Sequence, residues 1–141
     1  MIGADTTFLV QLEIVEHPAH AAAHATLRRE IFDAGQPLVL APQVLAEFVH
    51  IVTDPRRFAN PLQMEKALDQ AAFWWNAAEV QHAFPTPQST RTFLEWMRTH
   101  RLGRKRLLDT QLAATLWVNG VRRIATTNPG DFALFGVFEF V

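Results

Sequence analysis

Residues 37–53 read PLVLAPQVLAEFVHIVT, a short apolar run followed at once by a helical pattern. Residues 37–41 lack the polar alternation of a half-exposed strand, so we expect a short strand that is buried on both faces, as in parallel sheets. Pro42 suits the first turn of a helix, and a helix is predicted over residues 43–53. A buried strand that leads directly into a helix is typical of an α/β fold.

The same alternation of strands and helices continues outward from this stretch. Helical patterns cover residues 6–16, 18–34, 62–76, 88–100 and 107–119. Short strands are predicted at residues 79–83, 123–126 and 136–141, the opening segment spans residues 1–5, and residues 101–106 form a basic loop. We therefore expect an α/β fold, a three-layer α/β/α sandwich with a short central parallel sheet. Residues 1–141 are expected to form a single domain.

The bulk composition excludes several classes of protein. The chain has 141 residues, a net charge of −1 and 49% hydrophobic residues, so it has a generous core and no global basic field for coating DNA. It has no cysteine, which excludes disulfides, thiolate metal sites and cysteine nucleophiles. We see no signal peptide and no apolar run long enough to span a bilayer, and we expect a cytoplasmic protein.

Acidic and amide side chains stand at the ends of the predicted strands and at helix starts. They are Asp5, Glu47, Asp109, Asn128 and Asp131. In open α/β sheets the ligand crevice lies beyond the carboxyl ends of the strands, so we expect these side chains to converge there. Gathered carboxylates bind a hard cation such as Mg²⁺, which prefers oxygen ligands and keeps several waters. Such a cation activates a water and offsets charge in phosphoryl chemistry, with one ion or two.

Each of these residues also has a purely structural explanation. Asp5 and Asp109 are good candidates for helix N-caps, and Asp131 for a cap of the turn at residues 132–135. Asn128 precedes Pro129-Gly130, which is typical of a plain turn. Glu47 is either a buried carboxylate that needs a cation or a member of a solvent-facing stripe that contains Gln43, His50 and Asp54.

At these residues the chain resembles the PIN-domain ribonucleases, and more narrowly the VapC-type toxins of bacterial toxin–antitoxin pairs. The matching segments lie in the same order along the whole chain: Asp5-Thr6-Thr7, Leu45-Ala46-Glu47-Phe48, Leu108-Asp109-Thr110-Gln111-Leu112-Ala113-Ala114, and Ile124-Ala125-Thr126-Thr127-Asn128-Pro129-Gly130-Asp131-Phe132. The resemblance implies a PIN-like fold and an endoribonuclease that depends on Mg²⁺ or Mn²⁺ and uses a metal-activated water. It also implies a type II toxin with a cognate antitoxin partner and a homodimer.

The family's site residues carry over onto named positions of this chain. Asp5, Glu47 and Asp109 take the metal-binding positions, and Thr6 and Thr110, which follow two of these acids, would support the site. The fourth acidic position of the family falls on Asn128, which is a departure because an amide binds a cation less strongly than a carboxylate. Asp131 is the alternative occupant of that position.

Three further features bear on ligands and partners. Arg104, Lys105 and Arg106 lead towards Asp109 and are candidates for binding the RNA backbone. His20 and His24 have the spacing of a chelating pair, but without a third ligand we interpret them as surface residues. Phe73-Trp74-Trp75 cannot all be buried by one helix face, which predicts exposed apolar surface for a partner or a second copy.

Two other functions compete with the ribonuclease. A haloacid-dehalogenase-type phosphatase also uses an Asp after the first strand, but it needs a second acid where this chain has Thr7, and a lysine, for which only Lys66 and Lys105 are available. A PIN-like binding module with a decayed site is the non-enzymatic alternative, to which Asn128 gives some weight. The sequence does not identify the RNA target.

Overall fold

The α/β fold is confirmed by a computed structural model that describes residues 1–141. Five short parallel strands form one sheet in the order β3-β2-β1-β4-β5. The strands are β1 (Ile2–Ala4), β2 (Leu38–Leu40), β3 (Val80–His82), β4 (Arg123–Ala125) and β5 (Glu139–Phe140). The two central strands β1 and β2 are buried throughout, as the continuous apolar run of residues 37–41 predicts.

Helices connect and cover the strands. They are α1 (Thr6–Glu13), α2 (His20–Leu27), α3 (Pro42–Val52), α4 (Met64–Asn76), α5 (Pro87–Thr99), α6 (Leu107–Val118) and α7 (Gly130–Ala133). Contacts link α1 to α2 and α3, and α3 to α4, whereas α6 packs against α5 and α7. Two groups of helices on either side of one sheet make the predicted three-layer sandwich, as right-handed crossovers require. No helix has both the length and the apolar character needed to cross a membrane.

The strand order reverses direction beside β1. The chain moves from β1 outward to β2 and β3, and then returns to place β4 on the other side of β1. Ligands bind at such a switch point, in the crevice beyond the carboxyl ends of the strands. The register pairs Ala4 of β1 with Ala125 of β4, so Asp5 and Thr126, the next residue of each chain segment, come side by side.

The helix predicted over residues 6–16 is too long, because α1 ends at Glu13. The last carbonyls of a helix lack intrahelical partners. His20 Nδ1 lies 2.8 Å from the Gln11 carbonyl, and His24 Nε2 lies 2.9 Å from that of Leu12. The two histidines therefore satisfy the end of α1 from the next helix, which explains their spacing without a metal.

The helix predicted over residues 18–34 also differs from the observed structure. It begins at His20, and the α-helix ends at Leu27 and continues as wider π-helical turns over Arg28–Asp33. Within these turns Glu30 accepts a hydrogen bond of 3.0 Å from Arg123 at the start of β4. The helices predicted at 43–53 and 88–100 each begin and end one residue too late, and the other predicted bounds are too wide by one to three residues at an end. The basic loop at 101–106 contains a 3₁₀ turn at Arg104–Arg106.

Close packing holds β1 against α6. A Cβ atom added to Gly3 would lie 3.0 Å from Leu116 Cδ1 and 3.0 Å from Val121 Cγ1, which is closer than ordinary contact.

Gly3→Ala should therefore lower the free energy of unfolding by about 1–3 kcal/mol, measured by urea denaturation, because the core must shift to admit the methyl group. Gly103→Ala is the matched control, since nothing lies within 4 Å of a Cβ there. Equal midpoints for the two variants would contradict the close packing.

Candidate functional site

Asp5 is buried beyond the end of β1 and is held by three donors. Its Oδ1 accepts from the Phe8 backbone N–H at 2.9 Å and from the Thr7 hydroxyl at 2.8 Å. Its Oδ2 accepts from the Thr126 hydroxyl at 2.5 Å. The bond from Phe8 makes Asp5 the N-cap of α1, so the structural explanation of this residue is confirmed. A carboxylate with this many donors is fixed in one orientation.

The charge on Asp5 is nevertheless disfavoured by its surroundings. Burial raises the pKa of Asp5 above its ordinary value, and the nearby carboxylate of Glu47 raises it further. The hydrogen bonds from Thr126, Phe8 and Thr7 act in the opposite direction but do not outweigh the burial. The pKa of Asp5 is therefore raised overall, and none of its three hydrogen-bond donors is a cation.

Glu47 lies on α3 and is exposed, so the prediction of a buried carboxylate is wrong and the solvent-facing alternative holds. The reason is the amphipathic character of α3, which buries Val44, Phe48 and Val52 along one face and leaves Glu47 exposed outside that face. The Thr6 hydroxyl donates a hydrogen bond of 3.0 Å to Glu47 Oε2. Because Thr6 directly follows Asp5, this bond ties the carboxylate of α3 to the end of β1.

Asp109 lies in the first turn of α6 but does not cap it. The helix begins two residues earlier, at Leu107, after a 3₁₀ turn, so the predicted N-cap role of Asp109 is wrong. Burial raises the pKa of Asp109, and the carboxylates of Asp131, Glu47 and Asp5 raise it further. The guanidinium of Arg106 lowers it, without cancelling the others. Three other carboxylates therefore lie near enough to Asp109 to raise its pKa.

Asp131 and Asn128 differ in what surrounds them. Asp131 lies inside α7, whose N-cap is Pro129, and it makes no capping hydrogen bond, so the predicted cap is wrong. Instead, Arg106 Nη1 lies 3.3 Å from Asp131 Oδ1, and Arg106 Nη2 donates to the Asp131 carbonyl at 2.6 Å. Asn128 is exposed, and its backbone N–H donates to the Thr126 hydroxyl at 3.0 Å in a local turn.

The three predicted RNA-backbone residues differ in their exposure and in whether they form an ion pair. Arg104 and Lys105 are exposed and form no ion pair. Arg106 is half-buried and bound to Asp131, so it positions an acid rather than offering its charge to solvent.

Thr110 follows Asp109 on α6 and is fully buried, and its hydroxyl has no hydrogen-bond partner. A buried hydroxyl without a hydrogen-bond partner costs folding free energy.

Thr126 and Thr7 hold Asp5, but sequence reasoning gave neither a supporting role. Thr7 was named as part of a matching segment and as the residue that replaces a second acid, and Thr126 was named as part of a matching segment. The signal for Thr126 lies in the pairing of β1 with β4, because a residue that directly follows β4 must lie beside the residue that follows β1. That signal exists only once the strand order is known.

The donor set suits a hard cation in type and in charge. The donors are oxygen atoms alone, and their mutual repulsion is what a divalent cation would relieve. No three Asp, Glu or His side chains are yet drawn together closely enough to hold one ion between them. Asp5 is fixed by its three donors, whereas Glu47 is exposed and Asp109 is half-buried.

Asp109→Asn should stabilise the metal-free protein at pH 7, raising Tm by about 1–3 °C. The pKa of Asp109 in the folded protein is raised above its ordinary value of 3.8, so ionisation costs folding free energy at higher pH. The gain should shrink as pH falls towards about 4, where the carboxyl group becomes protonated in both states. Thermal unfolding with a chelator present measures the effect.

Asp69→Asn is the control for this measurement, because Asp69 is exposed on α4. It should change Tm little at either pH. A lower Tm for Asp109→Asn than for the unchanged protein at pH 7 would contradict the assigned repulsion.

Known proteins resemble this chain in sequence and in structure. No protein-family model matches it. Ribonuclease VapC24 of Mycobacterium tuberculosis, in strains CDC 1551 and H37Rv, is 28% identical over 137 residues, which are 96% of this chain and 92% of that protein. The similarity therefore extends over nearly all of both proteins.

Two solved structures share the fold. VapC20 of M. tuberculosis, described as a sarcin–ricin loop cleaving toxin, superposes with a TM-score of 0.71 at 20% identity and covers 99% of this chain and 98% of its own. FitAcB from Neisseria gonorrhoeae superposes with a TM-score of 0.67 at 17% identity and covers 100% and 97%. The chain therefore has the fold of these two structures, and its sequence is similar to that of VapC24 along nearly its whole length.

Proposed function

We propose that this protein is an endoribonuclease that hydrolyses RNA phosphodiester bonds, and the toxin of a type II toxin–antitoxin pair. The full-length similarity to a VapC ribonuclease supports the reaction class. The observation that carries the proposal is the convergence on Asp109 of the charges of Asp131, Glu47 and Asp5. A fold that tolerates such repulsion has another use for the acids, because structural caps do not require them to be neighbours.

We propose that Asp5, Glu47 and Asp109 together would hold Mg²⁺ or Mn²⁺. When bound, the ion supplies a positive charge for the phosphate and lowers the pKa of a water. Asp5 provides the fixed ligand, because Thr7, Phe8 and Thr126 hold its two oxygens. Thr6 steers Glu47 towards the same point, and the buried, unpaired hydroxyl of Thr110 supports the site beside Asp109.

We propose that Asp131, rather than Asn128, fills the family's fourth acidic position. Asp131 is the acid with the largest effect on the pKa of Asp109. Arg106 holds Asp131 by its carboxylate and its carbonyl, which fixes the side of α7 that faces the site. Asn128 is exposed in the preceding turn and is free to contact substrate instead. This assignment removes the main reason for regarding the site as decayed.

The partners follow as further parts of the proposal. An antitoxin protein and a second copy of this chain would use the apolar surface that the helices leave exposed, of which Phe73 is 66% and Leu108 66% accessible. We also propose that residues 1–141 act as one domain in the cytoplasm. Arg104 and Lys105, exposed and without ion pairs, remain the candidates of the basic segment for binding the RNA backbone.

Asp5→Asn should reduce RNA cleavage by at least about a hundredfold while leaving thermal stability at or above that of the unchanged protein. Asn keeps one oxygen for Thr7 and Phe8 but removes the charge that a cation needs. The assay uses purified, partner-free protein with Mg²⁺ or Mn²⁺, and a chelator should abolish cleavage in the unchanged protein. The products should carry 5′-phosphate and 3′-hydroxyl ends.

Asp69→Asn is the matched control, because it removes one carboxylate charge from an exposed helical position. It should cleave RNA at the unchanged rate. Cleavage by Asp5→Asn at that same rate would refute the assignment of Asp5. No cleavage by the unchanged protein with either ion, or hydrolysis of phosphate monoesters alone, would refute the ribonuclease and favour the binding module or the phosphatase, respectively.

A further inference from the structure

A cavity of about 530 Å³ opens between α1, the end of α3 and the segment after β4, and one of its lining residues, Thr7, donates a hydrogen bond to Asp5. Its size is within the range of pockets that bind small organic ligands. The polar and aromatic residues that matter for its chemistry are Thr7, Gln11, His17, Arg57, Phe58 and Asn128. None of these residues is used in the proposed cation site except Thr7, which holds Asp5.

The wall of this cavity is continuous with the hydrogen bonds around Asp5. Thr7, which lines the cavity, donates to Asp5 Oδ1, and Thr126, which donates to Oδ2, also accepts from the backbone N–H of Asn128. Gln11 on the same wall donates to the Thr127 hydroxyl at 2.8 Å. A group bound in the cavity therefore lies beside the carboxylate that ends β1.

The charge of the lining selects an anionic ligand. Arg57 is the only formally charged side chain in it, and the Arg57 side chain is 59% exposed. Arg57 pairs only loosely with Asp54, at 3.7 Å between Nε and Oδ2, which leaves its other N–H groups as donors. His17 accepts from the Ala19 backbone N–H at Nδ1, so its Nε2–H is a further donor.

A second cavity of about 580 Å³ shares His17 and Phe58 with the first and has the opposite character. Its lining includes Glu13 and Glu16 as well as Lys66. Two carboxylates repel a polyanion, so an RNA strand that enters the first cavity gains nothing by continuing into the second. Of the two cavities, only the first therefore has a lining with a net positive charge, as a phosphate group requires.

We propose that the first cavity binds one unstacked nucleotide adjacent to the phosphate that is cleaved. The guanidinium of Arg57 binds its phosphate, the ring of Phe58 stacks on its base, and the side-chain amide of Asn128 forms hydrogen bonds with the base edge. This inference rests on the ribonuclease function proposed above. Because the base must leave its stack, the substrate is single-stranded RNA or a loop rather than a duplex.

The test compares Arg57→Gln with Arg56→Gln. Both arginines pair with Asp54, at 3.7 Å and 3.5 Å, and both are exposed, but only Arg57 lines the cavity. For a single-stranded oligonucleotide, Arg57→Gln should raise KM roughly tenfold with kcat little changed. It should also make log(kcat/KM) less steep against log[salt] by about 0.7, the value for one phosphate contact on a single strand. Arg56→Gln should match the unchanged protein.

Phe58 is tested by a pair of substitutions that both keep an apolar side chain. Phe58→Leu retains packing against the core but removes stacking, so KM should rise roughly tenfold. Phe58→Trp retains a flat ring, so its KM should equal that of the unchanged protein. A thermal unfolding curve for each variant separates a loss of stacking from a loss of folded protein.

The outcomes distinguish this inference from the function on which it rests. If the unchanged protein cleaves no RNA, the ribonuclease function fails. If it cleaves RNA and Arg57→Gln matches Arg56→Gln in KM and salt dependence, the nucleotide site is overturned and the function stands. If Arg57→Gln and Phe58→Leu weaken only inhibition by a protein partner, the cavity belongs to that partner and the proposal is equally overturned.

Discussion

Gly3 in β1 lies so close to Leu116 and Val121 that a single methyl group would come within 3.0 Å of each. This contact presses the central strand against α6 and fixes the distance between the end of β1 and the helix that carries Asp109. β4 lies on one side of β1 and β2 on the other, so Asp5 follows the central strand of the sheet. Two of the acids are positioned by this strand: Asp5 directly follows it, and the hydroxyl of the next residue, Thr6, donates a hydrogen bond to Glu47.

The arrangement concentrates negative charge where folding alone would disperse it. Asp5 and Asp109 both have raised pKa values, first because of burial and then because of neighbouring carboxylates. The protein offsets part of the cost with three hydrogen bonds to Asp5 and with Arg106 beside Asp131. The remaining repulsion is what a bound divalent cation would relieve, and cation binding at the proposed site would then stabilise the folded chain.

The sequence was informative wherever a local pattern decides the outcome. The apolar run at residues 37–41 and the Pro42 helix start predicted β2 and α3. The failures concern features set by distant partners. The end of α1 depends on His20 and His24 in the next helix, and the attachment of Arg106 depends on Asp131 in α7. Thr126 reaches Asp5 only through the pairing of β1 with β4.

The location of a bound ion tests the central claim most directly. Crystals grown with Mn²⁺ give an anomalous signal that identifies the ion by position, independently of activity. The account predicts one strong peak in the crevice beyond β1, with oxygens of Asp5 and Asp109 as ligands and Glu47 turned inward to complete or support the set. A fully occupied ion elsewhere, or no ion at this crevice at saturating Mn²⁺, would contradict the claim that these acids form a cation site.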